Sequence, residues 1–104
     1  MILFSGGRPE IDLLYIGETI DQLILKLGEP SEYSLKVIDN NYLGYESEPD
    51  YSRHFSFEEL QETVTIKILT WNNKNIRTVV WAKNILNEWI IFSSLRWNRR
   101  HTTF

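Results

Sequence analysis

The chain has no cysteine, only two histidines, and no apolar run near the ~18 residues that a membrane-crossing helix needs. The missing Cys excludes disulfides, thiolate metal sites and thiol nucleophiles. His54 and His101 alone do not make a metal-ligand set, so neither a metal nor a cofactor is expected. No Gly-x-Ser-x-Gly elbow occurs, and Gly6–Gly7–Arg8–Pro9 does not open a helix as a phosphate loop would. With five Gly and three Pro in 104 residues there is no linker, no repeat and no low-complexity tract. The length corresponds to one domain, residues 1–104, that buries about two thirds of its unfolded surface. Residues Met1 to Arg8 lack the basic start and long apolar stretch of a secretion signal, which points to a cytoplasmic protein with no membrane partner.

Charge is present but unevenly placed. Residues 46–62 hold six acidic side chains and one basic one, whereas residues 63–104 hold seven basic and one acidic. All four Trp (Trp71, Trp81, Trp89 and Trp97) lie in the basic part, and the whole chain carries a net −3.

Ile20, Leu23, Ile24 and Leu27 fall at i, i+3, i+4 and i+7, one apolar helical stripe. Thr19 and Gln22 have capping-box spacing, Asp21 favours the helix N-terminus, and Gly28 with Pro30 stops the run. The remainder reads as strands. Tyr33 to Ile38 alternate, as do His54 to Phe57. Residues 63–97 predict a three-stranded antiparallel meander with turns at Asn72–Asn75 and Lys83–Asn87. In its last strand Trp89, Ile91, Leu95 and Trp97 are expected to share one face. The fold class is therefore α+β: a small antiparallel sheet, made of the C-terminal meander plus one or two further strands, with one or two short helices on one face. The second sheet face needs its own cover, and Ile11–Ile16, a dimer mate or a partner could supply it.

The chemistry points to binding. Residues 44–53 read as an exposed acidic loop in which Tyr45 and Tyr51 stand among Glu46, Glu48 and Asp50, with Glu58, Glu59 and Glu62 following. Solvated carboxylates in similar surroundings do not split into the acid and base that catalysis needs. Tyr offers a large contact area with few rotatable bonds, and a matched charge speeds encounter. These eight residues form the expected partner-binding set, with no catalytic residue. An alternative is a small nucleic-acid-binding or regulatory module using Arg96, Arg99 and Arg100, since cations neutralise phosphates and aromatic rings stack on bases. Against it, the net charge is acidic and the sheet core claims the Trp residues.

Two resemblances bear on this. Ile16–Gly17–Glu18–Thr19 followed by Leu27–Gly28–Glu29–Pro30 resembles the capped-helix signature of the SmpA/BLIP-like superfamily and implies a helix at that place. More broadly, a Cys-free, acidic, aromatic-rich α+β chain ending in Thr78–Val79–Val80–Trp81 and Asn87–Glu88–Trp89–Ile90–Ile91–Phe92 resembles the bacterial immunity proteins of contact-dependent inhibition and polymorphic toxin systems. That likeness implies a cytoplasmic, non-enzymatic inhibitor, a monomer or weak homodimer. It would bind one cognate protein toxin, often a basic nuclease domain, and block its active site.

Overall fold

The computed structural model describes residues 10–11, 15–42 and 48–98. Its centre is one antiparallel sheet of five strands in the order β1-β5-β4-β3-β2. The strands are β1 (Glu10–Ile11), β2 (Glu32–Ile38), β3 (Val64–Asn73), β4 (Ile76–Ile85) and β5 (Glu88–Asn98). The α+β class and the C-terminal meander are thus as the sequence implies, with β2 and the short β1 as the further strands. Among the described residues two α-helices, α1 (Ile20–Leu27) and α2 (Phe57–Gln61), pack on it. Among the described residues no helix is long and apolar enough to cross a membrane.

The helix α1 forms where its cap and stripe place it. Thr19 Oγ1 accepts from Gln22 N at 3.1 Å, and Gln22 Oε1 accepts from Thr19 N at 2.9 Å, which satisfies donors the first turn cannot pair internally. Gly28, at φ 84, lets the chain leave the helix, and Trp71 Nε1 donates to its carbonyl at 2.8 Å. Ile20 and Leu23 pack with Leu69, Trp71, Val80, Ala82 and Ile91 into one apolar layer. Burying such side chains contributes roughly 1.5–3 kcal/mol each, more than an isolated eight-residue helix could supply through its own hydrogen bonds.

The other sheet face is covered from an unexpected direction. Ile38, Tyr51, Phe55, Leu60, Ile66, Val79, Trp81 and Phe92 form a second apolar layer. Tyr51, Phe55 and Leu60 come from the acidic stretch itself, so that stretch is the cover, not a free loop. The expected strand at His54–Phe57 does not exist. Tyr51–Arg53 is a 3₁₀ turn capped by Asp50, and Phe57 opens α2. Ser56 and Glu59 make a reciprocal capping box, with Glu59 N donating to Ser56 Oγ at 3.1 Å and Ser56 N to Glu59 Oε1 at 2.8 Å. That local pairing fixes a helix start, which two alternating aromatics cannot override.

A β-bulge corrects the reading of β5. Trp81 faces Ser93 while Ala82 faces Ile91, so Phe92 is the extra residue. The inserted residue reverses the parity of the strand. Ile91 and Trp89 pack on the α1 side, and Leu95, opposite Val79, packs on the other. These residues therefore do not share one face as the uninterrupted alternation implies.

The β4–β5 hairpin turns at Leu86–Asn87, with φ of 51 and 70. Both values lie in the left-handed region that a two-residue type I′ turn requires, at about 1–2 kcal/mol for a side chain such as Leu. Leu86 is 91% exposed, so its side chain recovers little of that by packing. Leu86→Asn is expected to stabilise the chain by about 1 kcal/mol, raising the melting temperature by about 5 °C. Differential scanning calorimetry measures it directly. An unchanged or lower melting temperature would mean that the Leu86 side chain has a packing partner.

Candidate functional site

The acidic stretch divides into an inward and an outward part. Glu48 belongs to the inward part. Its Oε1 accepts from Lys36 Nζ at 2.6 Å and from the Tyr51 hydroxyl at 3.0 Å, while its Oε2 accepts from the Tyr42 hydroxyl. Lys36 Nζ also donates to the Tyr42 oxygen and lies 4.0 Å from the centre of that ring. Burial by itself would raise the Glu48 carboxyl, but the hydrogen bonds from Lys36, Tyr42 and Tyr51 outweigh it and hold the group below the ordinary carboxylate range. Burial, then the Glu48 charge, pushes the Tyr51 hydroxyl far up, so it stays a neutral donor.

Tyr51 and Glu48 therefore cannot serve as partner contacts as the sequence suggests. Tyr51 is fully buried, packed edge-on to Phe92 at 6.4 Å between ring centres, and Glu48 is saturated by internal donors. Two of the other expected contacts, Tyr45 and Glu46, lie outside the described residues, as do Arg99 and Arg100 of the alternative reading.

Asp50, Glu58, Glu59 and Glu62 make up the outward part, and all four are exposed. Asp50 accepts from Ser52 N and Oγ, which holds its carboxyl low, and sits 3.6 Å from Arg53. Among the described residues Glu58, Glu59 and Glu62 make no ion pair. Glu58 and Glu59 stand in the first turn of α2, where the dipole favours them. Glu62 stands at its C-cap, where the dipole opposes a negative charge, so helix stability does not account for it. Phe57 lies in the same patch and is 64% exposed, although the helix already buries Leu60 as its inward contact. The sequence reading missed Phe57 because it placed the residue in a strand.

Comparison with family models, with characterised proteins and with solved structures returned no match. Among the described residues no group of three or more His, Asp or Glu side chains converges. Burial, then the Lys83 charge, pushes the His54 imidazole below its ordinary range, with its ring 4.8 Å from that of Phe92. A cavity of about 330 Å³ beside β2–β4 is lined by Glu32, Ser34, Glu48, Arg77 and Trp81. Its carboxylates are already paired, Glu48 with Lys36 and Glu32 with Arg77 at 3.5 Å. Glu48, held below the ordinary carboxylate range by its three donors, does not hold a proton for transfer.

Two described cations of the basic third, Lys67 and Lys83, are also committed inward. Lys83 donates to the His54 carbonyl at 3.3 Å and lies over the Phe55 and Phe92 rings, and Lys67 lies over Trp89 at 4.4 Å. Among the described cations these contacts leave less positive surface than the sequence total suggests.

Proposed function

We propose that the chain is a non-enzymatic inhibitor, an immunity protein that docks on a cognate cytoplasmic toxin and blocks its active site. The observation that carries this reading is an exposed aromatic, Phe57, set among Glu58, Glu59 and Glu62 that no described cation neutralises. An apolar anchor inside a charged rim is the usual anatomy of a docking surface. A basic cleft, such as that of a nuclease domain, complements it. Asp50 extends the acidic rim, while Glu48 and Tyr51 support the surface from behind by holding the segment on the sheet. The likeness of the aromatic-rich C-terminal strands to immunity proteins points the same way.

The experiment is co-expression with the toxin encoded beside the gene, followed by association kinetics of the purified pair. Full protection from killing is expected. Glu58→Lys combined with Glu62→Lys is expected to slow association about tenfold at low salt and to flatten its salt dependence. Phe57→Ala acts on dissociation instead, by about 2 kcal/mol or thirtyfold. If the toxin still kills at full expression of this chain, the reading fails. If protection persists with unchanged kinetics in both variants, the docking surface is not α2.

A further inference from the structure

Sheet edges are where folded chains join other chains, because an edge strand presents backbone N–H and C=O groups without partners. Here the two sides of the sheet differ. The outer side of β5 is occupied along much of its length. Ile11 and Glu10 pair with Leu95 and Arg96, Gly17 N donates to Ile91 O, and Ile91 N donates to Glu18 O, each of the last two at 2.9 Å. On the other side β2 has a neighbour only in β3, paired over seven residues from Glu32 to Ile38 without a register shift, and no other described strand pairs with it.

The strand also lacks the devices that keep an edge single. It contains no Pro and no bulge, and its one Lys is turned away. Lys36 Nζ is bound on the opposite face by Glu48 and Tyr42, and Glu32 faces Arg77. On the α1 side the strand instead shows Tyr33, Leu35 and Val37, which are 53%, 58% and 61% exposed. That side of the sheet has its apolar layer under α1 over β3, β4 and β5, and the layer stops short of β2.

From this we infer that β2 is a self-association edge: two copies of the chain pair antiparallel through β2, centred on Leu35, and join their five-stranded sheets into one ten-stranded sheet. The pattern is self-complementary about that residue. Tyr33 meets Val37 of the second copy, Leu35 meets Leu35, Ser34 meets Lys36 and Glu32 meets Ile38. No like charges face each other, and all three exposed apolar side chains find apolar cross-strand neighbours. Centring on Lys36 would set two ammonium groups opposite each other. Centring on Ser34 would leave Val37 against Ser31. A slip in register by an odd number of residues would bring apolar and polar faces together. Pairing through a two-fold axis closes the assembly at two copies, since it consumes the same edge in both.

The test uses the full chain. Sedimentation equilibrium over a rising concentration series is expected to carry the mass from 12.4 kDa toward twice that value. Leu35→Lys sets two cations at the centre of the pairing and is expected to weaken dimerisation at least about tenfold, with the circular dichroism spectrum unchanged because the site is exposed. The chain has no Cys, so an introduced one reports unambiguously. Leu35→Cys is expected to form a disulfide-linked dimer under mild oxidation, because directly opposed Cβ atoms lie within reach. Tyr33→Cys is not, because its own copy lies four residues away along the partner strand. A native chain that stays at 12.4 kDa, a Leu35→Lys chain that still dimerises, or equal cross-linking of the two Cys variants would each overturn the proposal.

Discussion

Phe92→Ala is expected to cost about 3–5 kcal/mol, a large share of the roughly 5–15 kcal/mol that holds a domain of this kind together. The side chain is nearly fully buried on the face covered by the acidic stretch. It meets Phe55 edge-on at 5.3 Å and Tyr51 at 6.4 Å, and the His54 ring at 4.8 Å. These three residues attach the 3₁₀ turn and the start of α2 to the sheet, so one truncation loosens the whole cover. Removing the ring leaves a cavity that the neighbouring strands cannot close, because Phe92 is the bulged residue and the flanking register is fixed by Trp81–Ser93 and Ala82–Ile91. Urea unfolding followed by Trp fluorescence measures the loss. Phe92→Leu, which keeps much of the volume, is expected to lose about half as much. If the two variants lose equally, the deficit comes from the bulge geometry and not from the cavity. The α2 surface presenting Phe57 and Glu62 should loosen in the same variant, which hydrogen exchange in residues 51–62 would report.

How much of this was legible in the sequence depended on the range of the forces involved. The helix α1 was legible because its determinants are local: a capping box at Thr19–Gln22, a 3.6-residue stripe and a Gly stop. The meander was legible because β-branched runs alternate and two short polar turns punctuate them. The cover of the second face was not, although Ser56 and Glu59 carry the same box spacing that identified α1. Two alternating aromatics, Phe55 and Phe57, gave a strand pattern over too few residues to outweigh it. The bulge at Phe92 has no local signature, since it reconciles the register of β4 with that of the outer pairings of β5. Side selection in the acidic stretch was equally hidden. Tyr51 and Glu48 differ from their neighbours only in what lies opposite them, Phe92 for one and Lys36 for the other, and both partners are distant in sequence. The sequence total of acidic residues thus overstated the surface available to a partner and understated the internal work of one carboxylate.

That carboxylate gives the second large effect. Glu48→Ala removes the shared acceptor of Lys36, Tyr42 and Tyr51 and is expected to cost about 2–3 kcal/mol. The loss comes chiefly from what remains: a half-buried ammonium that keeps the Tyr42 hydroxyl but no counter-charge, and a buried phenol that has lost its carboxylate acceptor. Glu48→Gln keeps the shape and one acceptor oxygen and should lose about half as much, while Glu58→Gln, on the solvent side of α2, should stay within about 0.5 kcal/mol. Acid titration separates the carboxylate from simple packing. The folded Glu48 lies below its ordinary value of about 4.5, so its contribution is present above that pH and is lost as pH falls through the lower folded value. Wild type should therefore lose stability more steeply than Glu48→Gln below about pH 4.5, with the two curves converging at the acid end. The alkaline side has the opposite sign. Lys36 and Tyr51 are both raised in the folded chain, so their contributions are full below about pH 10 and are lost as pH rises through the folded values. Parallel acid limbs for wild type and Glu48→Gln would show that Glu48 is not ionised against Lys36, and the account of how the acidic stretch is held to β2 would fall with it.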